Sequence, residues 1–314
     1  MVDGAARPET VLLLSHWPSS TTPTFLARDL SVEIAFAFLD AARSLRSVPI
    51  RHRRRAAAVV ARAESAEAVT CDHFDEDGLM SLLAISAPRF ALERRSFTTE
   101  VARCGDFGVV RSEEAAAVAF AIAPLADLEA GENASASERY LAVLPSAMRL
   151  VDSPASFARL YESEMADFEE STEALRSGDV TLEEMPGDLA VVSRRSGGRR
   201  TEGRMEEQWP CHRAAIHSAT ECNRVLVFDG ARCELYLRYE SWVRYTTRRL
   251  PTRPDLGQLA SELSALEPSG ARWLADHPSA TIPRLRPGGD GLTEIDPALV
   301  VRRTAAYLMR APAC

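Results

Sequence analysis

Apolar residues recur at helical spacing from Phe25 to Leu45, where Leu26, Leu30, Ile34, Phe38, Leu39, Ala42 and Leu45 predict a helix. Upstream, Val11 to Ser15 is a short apolar run ending in His16-Trp17-Pro18, which predicts a buried strand stopped by proline. Arg51 to Arg55 (RHRRR) leads into alanine-rich, helix-prone sequence. Ala66 to Thr70 then predicts a second strand feeding the acidic segment CDHFDEDGLMS. Leu79, Met80, Leu82, Leu83 and Ile85 predict a helix that begins near Gly78 and stops before Pro88. Strand, helix, strand, acidic loop, helix is the order of an α/β domain with a parallel sheet. Ligands of such sheets gather beyond the carboxyl ends of the strands, where His16 and the acidic loop would both lie.

The stretch from Ser112 to Arg176 is mostly helical in pattern, with Phe157, Leu160, Tyr161, Met165 and Phe168 as one apolar stripe. Its other face, Glu162, Asp167, Glu169, Glu170 and Glu173, lacks an accompanying histidine and reads as a solvated surface. Asp188 to Ser193 predicts a strand. Arg194 to Glu207 then loses all apolar content except one methionine and reads as a flexible linker. Beyond it, Arg224 to Phe228 and Ala231 to Tyr239 flank Asp229-Gly230, a hairpin signal. Cys233, Leu235, Leu237 and Tyr239 share one face of the second strand, and Glu234, Tyr236, Arg238 and Glu240 the other. Asp255 is placed to cap a helix carrying Leu256, Leu259, Leu263 and Leu266, with Gln258 completing a capping box. The expected organisation is an α/β domain over residues 1–193, a linker over 194–208 and a smaller α+β domain over 209–314.

Composition narrows the possibilities. The chain has 314 residues, 46% hydrophobic and 26% charged, which fits globular domains rather than a disordered or fibrous chain. The longest purely apolar stretch, Ala115 to Ala123, is far shorter than a bilayer span, and no secretory signal pattern opens the chain, so a cytoplasmic protein is expected. Six cysteines without a C-x-x-C pair indicate reduced, buried thiols. A net charge of −8 gives no global attraction to polyanions. No lysine occurs, so every cationic contact is a guanidinium suited to carboxylate or phosphate, and lysine-based chemistries are excluded.

The densest chemistry lies in Asp72-His73-Phe74-Asp75-Glu76-Asp77-Gly78, where four carboxylates would repel one another unless solvent or a cation intervened. At alternate positions His73, Asp75 and Asp77 can project to one side of an extended segment, and such a nitrogen and oxygen set suits manganese, iron or zinc. An EF-hand fails, because its first and twelfth positions would hold His73 and Ala84. A plain helix N-terminus, with Asp75 or Asp77 as cap, is the competing account.

The segment from His73 to Gly78, followed by Ser81 and preceded by a strand, resembles the first motif of the DHH phosphoesterase superfamily. That resemblance implies that His73, Asp75 and Asp77 hold divalent metal, with manganese the expected ion and one or two ions bound. It implies a parallel-sheet DHH-like N-terminal domain over about the first 110 residues. Asp106 in Cys104-Gly105-Asp106-Phe107-Gly108 is the candidate for the superfamily's second, lone-aspartate motif, and a turn aspartate is its structural alternative. The namesake Asp-His-His triplet is absent, so His16, His212 or His217 would have to replace it, while His52 and His277 read as surface residues. The SHWP and RYESWV segments also resemble a bacterial family of unknown function.

The expected function is therefore hydrolysis of a nucleotide or other small phosphoester, with Asp77, Asp106 and His16 catalytic and His73, Asp75, Asp77 and Asp106 ligating metal. Arg238, Trp242 and Arg244 would contact a phosphate and a base, with cross-strand pairing to Glu240 as the alternative for Arg238. The rival is a non-catalytic descendant that binds a nucleotide or a protein partner. A nucleic-acid module using Arg51 to Arg55 and Arg194 to Arg200 rests on charge runs alone and is not favoured.

Overall fold

A computed structural model describes residues 1–194 and 210–311 and shows a mixed α/β protein. Its contacts divide the chain into two compact units, residues 1–165 with 243–249, and residues 166–242 with 250–314. The division falls inside a helix near residue 165, not at the expected 193. Most of the expected linker lies outside the described residues.

The first unit is built from α1 (Ser31–Arg43), α2 (Arg53–Ala63), α3 (Glu76–Ser86), α4 (Pro88–Glu93), α5 (Arg95–Phe107), α6 (Glu113–Ala130) and α7 (Ala136–Asp152), and α8 (Ala158–Ser177) leads out of it. At its centre lies α3, buried continuously from Asp77 to Ala84 and packed against α1, α4, α5 and α7. Apart from Asp77 and Ser81 that run is apolar on every side, as a fully enclosed helix requires. Asp75 starts it by accepting the Gly78 N–H at 2.8 Å.

The expected parallel sheet of this unit is reduced to one isolated parallel bridge, Val2 with Leu14, and Val2 N–H also donates to Thr70 O at 2.9 Å. The extended runs predicted at Val11–Ser15 and Ala66–Thr70 therefore lie beside the N-terminal segment without forming ladders. Side-chain hydroxyls take the backbone groups that a ladder would use. Ser15 Oγ accepts from Gly4 N–H and Trp17 N–H, and Thr22 Oγ1 accepts from Ser15 N–H and donates to Leu13 O. The predicted helix from Phe25 starts later, at Ser31, because Leu30 is extended and residues 23–27 form turns. Leu26 and Leu30 are buried nonetheless, so their spacing reported burial before it reported a helix.

The second unit carries the sheet. Its strands are β1 (Val180–Met185), β2 (Leu189–Arg194), β3 (Arg224–Asp229), β4 (Arg232–Leu237), β5 (Trp273–Ala275) and β6 (Arg284–Pro287), in the order β1-β2-β3-β4-β6-β5. Only β2 and β3 pair in parallel. The hairpin between β3 and β4 forms one residue later than its sequence signal suggests. Asp229 pairs with Arg232, and Gly230 takes the positive φ of 64° that a tight hairpin turn needs. Leu226, Phe228, Leu235 and Leu237 pack against α10 (Gly257–Leu266) and α11 (Pro297–Arg310). Val225, Val227 and Tyr236 pack on the other face with Ile216 of α9 (Arg213–Ala219). Asp255 accepts from Gly257 N–H at the start of α10, but Gln258 bonds Glu262 and forms no capping box.

Among the described residues, no helix is long and apolar enough to cross a membrane. Five cysteines, Cys71, Cys104, Cys211, Cys222 and Cys233, are free and buried. Truncating Leu79, which is wholly buried in α3, should cost about 2–5 kcal/mol. Urea denaturation of Leu79→Ala measures this as a lowered midpoint with an unchanged slope.

Candidate metal centre

Four stretches of the first unit converge on one buried volume. The N-terminal segment supplies Asp3, the end of the Leu12–Ser15 run supplies His16, the loop into α3 supplies His73, Asp75 and Asp77, and the last turn of α5 supplies Asp106. The acidic loop is thus joined by His16 and Asp106, as the sequence suggested, and by Asp3, which it did not. Asp106 is helical and inward-facing, with its side chain 4% exposed, and is not a turn residue.

His16 is oriented by its own backbone surroundings. Its Nδ1 lies 2.5 Å from Asp29 O, and a carbonyl can only accept, so Nδ1 carries a proton. Nε2 then faces three carboxylates: Asp106 Oδ2 at 3.4 Å, Asp3 Oδ1 at 3.6 Å and Asp77 Oδ2 at 4.0 Å. A bare nitrogen lone pair among three carboxylates is repulsive, so either a proton or a cation must stand between them.

Asp3 links this group to a second one. Its Oδ1 accepts from Ser31 Oγ at 2.8 Å, while Oδ2 lies 3.2 Å from His73 Nε2. His73 Nε2 is also 2.6 Å from Asp75 Oδ2, and Nδ1 is 3.0 Å from Asp72 Oδ1. Asp3 holds a positive φ of 39°, uncommon for a residue with a side chain, and Gly4 follows it. A Cβ on Gly4 would clash with Asp72 Oδ1, so glycine lets the chain pass this close to the loop.

The charges are under-compensated. Among the described residues no arginine pairs with Asp3, Asp72, Asp75, Glu76, Asp77 or Asp106, and the only basic partners are His16 and His73. Asp77 is received by the N-terminus of α1, where Ser31 N–H and Val32 N–H donate to its two oxygens at 2.6 and 2.8 Å. Burial, reinforced by the charge of Asp3, still pushes Asp77 up to about 8. Burial and the charge of Asp75 push Asp3 up to about 6. Asp106 is raised well above the ordinary carboxylate range by burial and then by Asp77 and Asp75. Burial opposes charge on Asp75 and His73 too, but their mutual hydrogen bond, with the Asp3 carboxylate close to His73, lowers the first and raises the second.

Two oxygens are left without any hydrogen bond although buried, Asp3 Oδ2 and Asp106 Oδ2. Ligand atoms of Asp3, His16 and Asp77 lie within 4.8 Å of one another, as do those of Asp3, Cys71 and His73. Hard carboxylate oxygens with one imidazole suit a divalent first-row ion in the first group. The donor set and the orphaned oxygens fit such an ion.

A family model described as a family of unknown function, DUF6687, matches residues 1–297. The chain belongs to that family. The match to DUF6687 includes every residue of the cluster from Asp3 to Asp106. No curated protein and no solved structure matches the chain.

The residues expected to contact substrate from the second half are otherwise engaged. Arg238 is 2% exposed, bonds Glu240 with two nitrogens and donates to His217 O and Thr220 O. Arg238 and Glu240 form a buried ion pair within one chain segment and not across two strands. Trp242 stacks on Tyr239 at 5.7 Å in the second unit. Arg244 belongs to the first unit and donates from its guanidinium to Ser20 O. His212 caps α9 through Nδ1, and His217 bonds Tyr236 Oη at 2.9 Å, so both have local roles in the second unit. His52 stacks on Phe25, and His277 is exposed beside Ser279. Of the arginine runs, residues 195–200 lie outside the described residues.

The raised carboxylates set a pH dependence. Asp3 and Asp77 contribute stability that is fully present below their ordinary value of 3.8 and is lost as pH rises through about 6 and about 8 respectively. Chelator-treated protein should therefore melt at a lower temperature at pH 8 than at pH 5. Asp106→Asn should flatten that difference, and calorimetry across pH measures both.

Proposed function

We propose that the chain is a divalent-metal-dependent hydrolase of phosphoesters, of DHH-like descent, acting on a nucleotide or another small phosphorylated substrate. The observation that carries this reading is the pair of buried oxygens, Asp3 Oδ2 and Asp106 Oδ2, that accept no hydrogen bond beside two oriented imidazoles. Buried carboxylate oxygens without a hydrogen bond are costly, and a cation is a partner their chemistry suits. The DHH-like descent draws support from three adjacent extended segments, with Val2 paired to Leu14 in parallel and bonded to Thr70, and the HFDEDG loop at the exit of the third. On this reading the single parallel bridge is what remains of the parallel sheet expected of that descent.

Asp3, His16, Asp77 and Asp106 would hold one ion, and Asp3, His73 and Asp75 a second, with manganese the first choice. A bound divalent ion would lower the pKa of water toward neutrality and neutralise phosphoryl charge. The protein's own part is positional. Asp29 O fixes the His16 tautomer, the α1 N-terminus holds Asp77, and Asp72 braces Nδ1 of His73. His73 and Asp75, 31% and 24% exposed, form the solvent-facing side of the cluster, where a phosphoester would enter.

A second reading has its own observation. Asp75 caps α3 and Asp77 caps α1, so both acids serve the fold without any ion. That favours a non-catalytic descendant which keeps the site and binds a nucleotide or a protein partner.

Purified protein should retain manganese by elemental analysis and turn over members of a panel of phosphodiesters and nucleotides. Asp106→Asn should lower turnover at least about a hundredfold while retaining the fold. Bound manganese without turnover supports the second reading, and neither metal nor turnover removes the first.

A further inference from the structure

The segment 243–249 is contributed to the first unit by a stretch of chain that enters and leaves through the second. Its polar contacts converge on the residue that orients His16. Asp29 is 2% exposed, and its carboxylate accepts four hydrogen bonds: from Thr246 N–H at 2.5 Å, Thr246 Oγ1 at 2.7 Å, Thr247 N–H at 3.1 Å and Thr247 Oγ1 at 2.5 Å. The carbonyl of the same Asp29 accepts from His16 Nδ1. Arg244 N–H donates to His16 O at 2.8 Å, holding the histidine backbone from the other side. Tyr245 packs its ring on Phe107 at 5.5 Å, and Phe107 in turn lies 6.4 Å from the His16 ring and follows Asp106 in sequence.

We infer that Asp29 with Thr246 and Thr247 is a positioning device that sets the tautomer and aim of His16, so that the distal half of the chain completes the candidate metal centre. A side chain saturated by four donors cannot rotate without losing several of them, and the peptide carbonyl beside it is fixed accordingly. With that carbonyl in place Nδ1 keeps the proton, and Nε2 is the nitrogen presented to Asp3, Asp77 and Asp106. Release of the segment frees Asp29 to turn, and the carboxylates of Asp3, Asp77 and Asp106 then draw the ring proton from Nδ1 to Nε2. The consequence for metal binding rests on the proposed function, whereas the consequence for the ring does not.

The test uses the full chain with ¹⁵N-labelled histidine and the double variant Thr246→Val with Thr247→Val, two exposed positions outside the cluster. In metal-free wild type, the His16 ring should show a protonated Nδ1 with a slowly exchanging proton, assigned by its loss in His16→Gln. The valine variant should lose that signal to exchange and bind manganese about tenfold more weakly. The variant Thr246→Ser with Thr247→Ser, which keeps both hydroxyls, should restore wild-type behaviour in both measurements. A merely structural role would lower the melting temperature and leave the ring signal unchanged, and that outcome overturns the inference. A changed ring signal in a chain that binds no manganese upholds the positioning role and overturns the metal reading instead.

Discussion

The first unit is organised around the burial of more negative charge than its own cations can balance. Asp3, Asp77 and Asp106 meet at His16 Nε2, and Asp3 continues to His73 and Asp75. Repulsion of this kind would ordinarily expel the side chains to water. Here Asp3, Asp75 and Asp77 are anchored by elements the fold needs, because Asp77 receives the start of α1, Asp75 starts α3, and Ser31 of α1 bonds both Asp3 and the His16 backbone. The acids cannot leave without dismantling the helices. Strain at a site that the surroundings over-determine is the usual mark of function.

The same anchoring explains the unit's irregular secondary structure. The segments bearing Asp3, His16 and His73 are extended and adjacent, yet they form no continuous ladder. Ser15 and Thr22 satisfy backbone groups locally and allow each segment to turn inward after one or two residues. A regular sheet would alternate side chains along straight strands, and it would not bend Asp3, at φ 39°, toward two histidines at once.

The legible part of the site is the part that is local in sequence. His73, Asp75 and Asp77 lie within five positions, and their crowding is apparent without any structure. His16 ends an apolar extended run, and the exit of such a run has a predictable neighbourhood. Asp3 has no such pattern; a single Asp-Gly dipeptide after one buried valine signals a turn and nothing more. The contact of Asp29 with Thr246 and Thr247 spans 217 and 218 positions and leaves no periodic trace. The enclosure of Arg238 and Glu240 was not legible either, since their alternation continues that of the strand, which ends at Leu237, and does not show that the two are buried and paired with each other. β1 was missed because its sequence, VTLEEM, mixes apolar and acidic residues along a partly exposed strand.

Under the proposed function a proton and a divalent cation would compete for the space beside His16 Nε2, and the geometry would not treat them alike. A proton on Nε2 satisfies one carboxylate at a time, because an N–H has a single direction, and it leaves the remaining oxygens buried and unpaired. An ion draws several oxygens and a nitrogen together without a preferred single axis. The arrangement offers donors from four separate stretches of chain, with Nδ1 already committed elsewhere and two oxygens without hydrogen bonds. Many donors around one point, rather than one acceptor opposite one donor, is the geometry that rewards a cation.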